Sequence, residues 1–274
     1  DSLISKFDGE IVEIDWERKS SVGKADEYVK NVQRLLVEVA GKQKQYFSPS
    51  NKNKKKLQAE IRNLKIELLI NQLSFNKELY IGKTVQKGGF MPTAADIKHN
   101  TERELQIRGF ENLINKLKNL LQHPGEPFNH FDWKLDFPEV LNPYLVKGNA
   151  GFDIVIGNPP WVSMKGKHGI EESKRNNLEA LLFKYKGNTS MPNLYEYFIK
   201  ASLELLVKNG IFSFIIPDRF GFNVALSDLR KEILINKTIL EIVYKWKFDA
   251  VIADTMTLIV KNIEAKEYQF FIRT

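Results

Sequence analysis

The sequence predicts an α/β protein in which a helical segment, residues 1–127, precedes one part of a Rossmann-like sheet, residues 128–274. Two observations predict this. Through the first segment apolar residues recur at three- and four-residue steps, which is the period of a helix with one buried face. Beyond residue 150 the rhythm changes to short apolar runs alternating with helical stretches, the pattern of strands joined by covering helices.

The elements follow in order. Tyr28, Val32, Leu35, Leu36 and Val39 share the face of a first helix that ends near Gly41. A second starts at about Lys54 and carries Leu57, Ile61, Leu64 and Leu68, before Gly82, Gly88, Gly89 and Pro92 interrupt the pattern. A third is expected from Thr101, where Glu104 completes a capping box; it buries Phe110, Leu113, Ile114, Leu117 and Leu121 and closes at His123-Pro124-Gly125. Between the first two helices, Lys42 to Lys56 holds six lysines and no acid. This stretch reads as a solvated loop, with contact to phosphates as the alternative.

In the second half the apolar runs are Phe152 to Ile156, Ile211 to Ile216, Ile239 to Tyr244 and Thr257 to Val260, with Tyr268 to Ile272 as a further edge strand. A helix from about Asn193 to Val207, stopped by Asn209-Gly210, joins the first two, and another from Ser227 to Leu234 leads to the third. Strand, helix, strand, helix, strand is the doubly wound plan and predicts parallel pairing.

Composition bounds the chemistry. With no cysteine, the chain has no disulfide, thiolate metal site or cysteine nucleophile, and no metal-ligand cluster is expected. No apolar run has the length of a membrane span and no signal peptide is present, so the cytoplasm is the default location. A net charge of +7 suits nucleic acid as a partner without requiring it.

The chemistry concentrates at Gly151-Phe152-Asp153-Ile154-Val155-Ile156-Gly157-Asn158-Pro159-Pro160-Trp161, a strand ending in a rigid polar and aromatic turn. In open α/β sheets ligands bind beyond the carboxyl ends of strands. Two prolines in series fix φ and remove two donors, leaving carbonyls to accept. Asn158 adds a side-chain carbonyl and Trp161 a flat face. A heteroaromatic amine is a poor nucleophile because its lone pair is delocalised. Two acceptors aimed at its hydrogens favour a pyramidal nitrogen and localise that pair, and an aromatic face holds the base. A turn that merely ends a strand is the alternative.

These residues resemble the catalytic motif of amino-group DNA methyltransferases, in particular the large adenine-specific enzymes of restriction–modification and related phage-defence systems. Four further stretches are similar to that family: Phe131 to Val140 ahead of the strand, Asn193-Leu194-Tyr195-Glu196-Tyr197-Phe198 after it, Lys208 to Pro217, and Phe248 seven residues before Thr255. The family more often has Asp where Asn193 stands. The resemblance spans roughly residues 128 to 262.

The resemblance implies a Rossmann-like methyltransferase fold and methyl transfer from S-adenosylmethionine to the amino group of adenine, flipped out of double-stranded DNA. Asn158 and the Pro159 carbonyl accept from that amino group within the Asn158-Pro159-Pro160-Trp161 turn, Trp161 stacks on the base, and Phe248 presses it from another side. Asn158 also borders the cofactor. A core phenylalanine is an equal reading of Phe248, and Phe220 and Phe222 either pack in the core or line the pocket. Lys165, Lys167, His168, Lys174 and Arg175 form a basic loop that contacts the DNA backbone or is simply solvated.

One expected part is absent: no Gly-x-Gly turn occurs in the chain to hold the methionine end of the cofactor. The expectation is that the cofactor half lies before residue 1 and a target-recognition region after Thr274, so that this chain alone neither binds the cofactor tightly nor methylates DNA. Two other readings stand beside this one: an amino-group methyltransferase acting on protein glutamine or RNA, and a non-catalytic helical module of a larger machine.

Overall fold

The computed structural model describes residues 2–14, 25–81, 93–164, 172–187, 192–246, 254–265 and 271–273. They form two compact units, Asp1–Glu139 and Val140–Thr274.

In the first unit a small antiparallel hairpin, β1 (Lys6–Phe7) and β2 (Glu10–Ile11), precedes three long helices, α1 (Ala25–Phe47), α2 (Lys54–Ile81) and α3 (Ala94–Gln122). α2 packs on both α1 and α3. The shared core is Val32, Leu35, Leu36 and Val39 of α1, Leu57, Ile61, Leu64 and Leu68 of α2, and Leu113, Ile114 and Leu117 of α3. Two boundaries differ from expectation. α1 runs through Gly41, a glycine whose added Cβ would meet nothing within 4 Å. α3 begins two turns earlier, because the capping box is Thr93 with Asp96: Thr93 Oγ1 accepts from the Asp96 amide at 3.2 Å, and the Asp96 carboxylate accepts from the Thr93 amide at 3.0 Å. Thr101 instead sits inside the helix and donates its hydroxyl to the Ile97 carbonyl. Arg62 of α2 donates to the Leu120 carbonyl in the last turn of α3 and to the Glu126 carbonyl just beyond it.

Two short helices follow, α4 (Trp133–Asp136) and α5 (Pro138–Leu141). Asp132, 4% exposed, holds the start of α4: Oδ1 accepts the amides of Lys134 and Leu135, and Oδ2 accepts the Ser5 hydroxyl and the Ile14 amide. His130 lies beside it, with Nε2 3.0 Å from the Val12 carbonyl. Burial lowers its pKa from the ordinary 6.5, outweighing the Val12 hydrogen bond and the charges of Asp132 and Asp136.

The second unit carries a five-stranded sheet in the order β3-β4-β6-β5-β7, with β3 (Phe152–Gly157), β4 (Leu206–Pro217), β5 (Thr238–Trp246), β6 (Thr255–Lys261) and β7 (Phe271–Arg273). β3 pairs with β4 in parallel, and so does β5 with β7. The expected parallel sheet is corrected at β6, which turns back from β5 and inserts between β4 and β5, antiparallel to both. The linker between β3 and β4 holds two helices, α6 (Glu172–Tyr185) and α7 (Leu194–Glu204), where one was expected. α7 ends at Glu204, short of Val207, and Asn209-Gly210 forms a bulge inside β4, with Asn209 at φ +69° and its amide donating to the Asn262 carbonyl. α8 (Ser227–Asn236) follows β4.

Strand register sorts the side chains onto two faces. Phe212, Phe214, Ile216, Met256, Leu258 and Val260 point to one face, where they pack with Tyr195, Ile199 and Leu203 of α7 and Leu229 and Ile233 of α8. The opposite face carries Ile154, Ile156, Ile211, Ile215 and Ile259, none of them buried. Ile154 and Ile156 on the outer strand β3 are 65% and 78% exposed.

β3 starts at a point that tolerates only glycine. Gly151 has φ +137°, and a Cβ there would lie 2.6 Å from the Val207 amide nitrogen. Its own amide donates to the Val140 carbonyl at 2.9 Å, and the next amide, of Phe152, donates to the Leu205 carbonyl at 2.8 Å. Gly151→Ala meets backbone rather than a flexible side chain, so it is expected to cost about 3 kcal/mol or more in urea unfolding of the second unit.

The depressed pKa of His130 has a worked sign. The unfolded chain binds the proton more readily, so stability is highest above the ordinary value of 6.5 and is lost as pH falls from there through the lower folded pKa. His130→Gln, which keeps a donor for Val12, is expected to show a smaller loss of urea midpoint than wild type between about pH 7.5 and about pH 5.5.

Candidate active site

The carboxyl ends of β3 and β4 point the same way, since the two strands are parallel and pair Gly157 with Phe214. β4 runs three residues past that pair, from Ile215 to Pro217, about 10 Å at the rise of a strand. Over the same distance β3 gives way to Asn158-Pro159-Pro160. Because β6 is antiparallel, its first residue, Thr255, pairs with both Pro217 and Trp246, the end of β5. One rim therefore gathers the Asn158–Trp161 turn, the turn after Pro217, the end of β5 and the start of β6.

Within the turn, Asn158 and Pro160 are exposed, Pro159 is buried and Trp161 is half-buried. Trp161 packs against the aromatic and aliphatic core under α7 and α8. Its indole N–H is enclosed, and no acceptor reaches it among the described residues. The chain beyond is tied to the start of α7: the Leu194 amide donates to the Val162 carbonyl at 2.9 Å, and the Met164 amide to the Pro192 carbonyl at 2.9 Å. Asn193 caps α7, its Oδ1 accepting the Tyr195 amide at 3.4 Å, a role Asn fills as well as Asp. These tethers make the rigidity of the turn a property of two elements rather than of its prolines alone.

The aromatic residues after Asn193 are structural. Tyr195 and Tyr197 are 2% and 0% exposed, and burial pushes the Tyr195 hydroxyl up to about 12 and that of Tyr197 higher still. Both stay neutral and serve as packing, not as bases. Phe220 is likewise core at 3% exposed, whereas Phe222 is 67% exposed on the rim. The sequence alone does not separate these two phenylalanines.

The other expected site residues divide. Lys165, Lys167, His168 and Phe248 lie outside the described residues. Lys174 and Arg175 fall on the first turns of α6, which corrects their placement in a loop; only their backbone is described.

Among the described residues the positive-φ glycines are Gly9, Gly148 and Gly151, and none follows a strand of the five-stranded sheet. Among the described residues, no group of three or more His, Asp or Glu side chains is placed to hold a metal ion, and no helix is long and apolar enough to cross a membrane.

Residues 28–251 match the family described as Eco57I restriction-modification methylase. The chain belongs to that family. Two curated relatives are similar to this chain. A protein of Methanocaldococcus jannaschii named as a type II restriction enzyme and methyltransferase is 31% identical over 119 residues, 43% of this chain and 9% of the relative. The type II restriction enzyme and methyltransferase RM.Eco57I of Escherichia coli is 30% identical over 97 residues, 35% of this chain and 9% of the relative. The chain thus spans about a tenth of the length of the curated relatives it matches. A solved structure from Listeria monocytogenes, described as a class I S-adenosylmethionine-dependent methyltransferase, aligns with 91% of this chain and 90% of its own at 14% identity and a TM-score of 0.35.

The half-buried Trp161 separates packing from hydrogen bonding. Trp161→Phe keeps most of the ring and removes an enclosed donor, so its thermal unfolding is expected to stay within about 1 kcal/mol of wild type. Trp161→Ala empties that space and is expected to cost about 3 kcal/mol.

Proposed function

We propose that this chain supplies the base-facing part of a DNA methyltransferase of restriction–modification, which transfers a methyl group from S-adenosylmethionine to the exocyclic amino group of adenine in double-stranded DNA. The observation that carries the reading is Asn158-Pro159-Pro160-Trp161 at the carboxyl end of β3, with Asn158 exposed on the rim. Asn158 Oδ1 and the Pro159 carbonyl accept the two hydrogens of the amino group, which favours the nitrogen lone pair over delocalisation into the ring. The exposed part of Trp161 offers a stacking surface for a base that has left the duplex. The turn works by position and polarity, with no covalent intermediate on the protein.

Family membership supports DNA over protein glutamine or RNA as the carrier of the amino group. Adenine is favoured by the resemblance alone, through the Asn that begins the motif. Phe248 as a second stacking ring, and Lys165, Lys167, Lys174 and Arg175 as contacts to the DNA backbone, rest on the same resemblance. A cofactor-holding part and a target-recognition part are proposed in the rest of the protein. The length of the relatives and the apolar outer strand β3, with Ile154 and Ile156 exposed, support further structure against that edge.

Asn158→Ala in the full-length protein tests the reading. Its side chain is exposed, so the melting temperature is expected to match wild type, while methyl transfer to duplex DNA falls by at least about 100-fold. Retained transfer refutes the assignment.

A further inference from the structure

We propose that Phe222, with Val224 beside it, is an apolar wedge that enters the base stack of duplex DNA as the target base leaves it. The proposal rests on the DNA methyltransferase reading above and concerns a different loop from the reacting turn.

Burial alternates sharply after β4. Phe220 is 3% exposed and Leu226 3%, yet between them Phe222 is 67% and Val224 82% exposed. The stretch is one turn of 3₁₀ helix, Asp218–Gly221, then a second, Val224–Leu226, capped by the Asn223 side chain. Large apolar side chains held in water carry a standing free-energy cost, so a rigid loop that presents two of them implies a surface that covers them in use.

The loop is braced along its length. The Asp218 amide donates to the Asp254 carbonyl at 3.1 Å, and the Phe222 and Asn223 amides to the Arg219 carbonyl at 3.2 and 2.8 Å. From α8, the Arg230 guanidinium donates to the Phe220 carbonyl at 2.8 Å and the Asn223 carbonyl at 2.6 Å, one on each side of Phe222. Gly221 lies flush against the Tyr244 hydroxyl, 2.6 Å from where a Cβ would stand. The backbone that carries Phe222 is therefore fixed before any ligand arrives, as a wedge requires.

Position selects the occupant. β4 has a neighbour on each side, so a further strand cannot add there; among the described residues the edges of the sheet are β3 and β7. The Phe222 turn stands on the same rim as Asn158, following the strand that pairs with β3. A wall of a base pocket would be enclosed. An exposed apolar tip on the rim that carries Asn158 suits insertion between base steps, where apolar side chains offset part of the cost of unstacking.

The test uses the full-length protein and duplexes carrying its recognition site. With 2-aminopurine at the target position, wild type is expected to raise the fluorescence on binding, and Phe222→Ala to lose most of that rise. Methyl transfer by Phe222→Ala should fall by at least roughly tenfold on a fully paired duplex, yet come within about twofold of wild type where the target base faces an abasic site, because extrusion then needs no wedge. Phe222→Leu should keep most of the paired-duplex rate, and Val224→Ser should show a smaller loss with the same abasic rescue. Equal rates for Phe222→Ala and wild type on the paired duplex, or an equal loss on both duplexes, overturns the wedge while leaving the reading of Asn158 intact. Absence of transfer by wild type to either duplex overturns the methyltransferase reading itself.

Discussion

The parallel pairing of β3 with β4 is the constraint on which the rest of the second unit depends. It begins at Gly151, where a left-handed φ and backbone contact with Val207 leave no room for a side chain. It ends where Gly157 meets Phe214 and the two strands release their terminal turns in the same direction. Shifting this register by one residue would move Val155 out of the core and bring Ile154 and Ile156 into it. The hydrogen bonds from the Gly151 and Phe152 amides prevent that slip, and so set the height at which Asn158 stands.

The sheet is asymmetric in what it buries. Its face toward α7 and α8 is a continuous core of Phe212, Phe214, Ile216, Met256, Leu258 and Val260. Its other face is a row of isoleucines that stay at least partly exposed, most of all on β3. Covering Ile154 and Ile156 would each contribute about 1.5–3 kcal/mol, comparable to a large part of the margin by which a domain is stable. The rim combines the opposite properties: Asn158 is polar and exposed, while Phe222 and Val224 are apolar and exposed on a braced loop. The same sheet thus supports one surface by packing and presents another without it.

Much of this was legible because the signals are local. The apolar periods of α1, α2 and α3 locate those helices, and the run from Phe152 to Ile156 locates β3, because each period reports one buried face. Boundaries were less legible. Thr101-x-x-Glu104 and Thr93-x-x-Asp96 both carry capping chemistry, and the helix takes the earlier pair, converting Thr101 into an interior residue. Asn209-Gly210 suits a helix stop and a strand bulge equally; the Asn262 backbone, some fifty residues away in sequence, pairs with both residues and makes it the bulge. α6 carries a weak apolar period: among its described side chains, Leu178, Leu181 and Tyr185 are the buried ones.

What the sequence by itself determined is the turn at Asn158 to Trp161 and its character: consecutive prolines restrict the backbone wherever they stand, and Asn158 and Trp161 bring a polar acceptor and an aromatic face to it. Its family membership follows from the same linear pattern. Only the tertiary structure decided that β6 inserts antiparallel between β4 and β5, that one face of the sheet is left without helices among the described residues, and that Phe220 turns inward while Phe222 turns out. Each of these depends on which distant segment arrives as a neighbour, and a residue's pairing and burial are set by that neighbour rather than by its own chemistry.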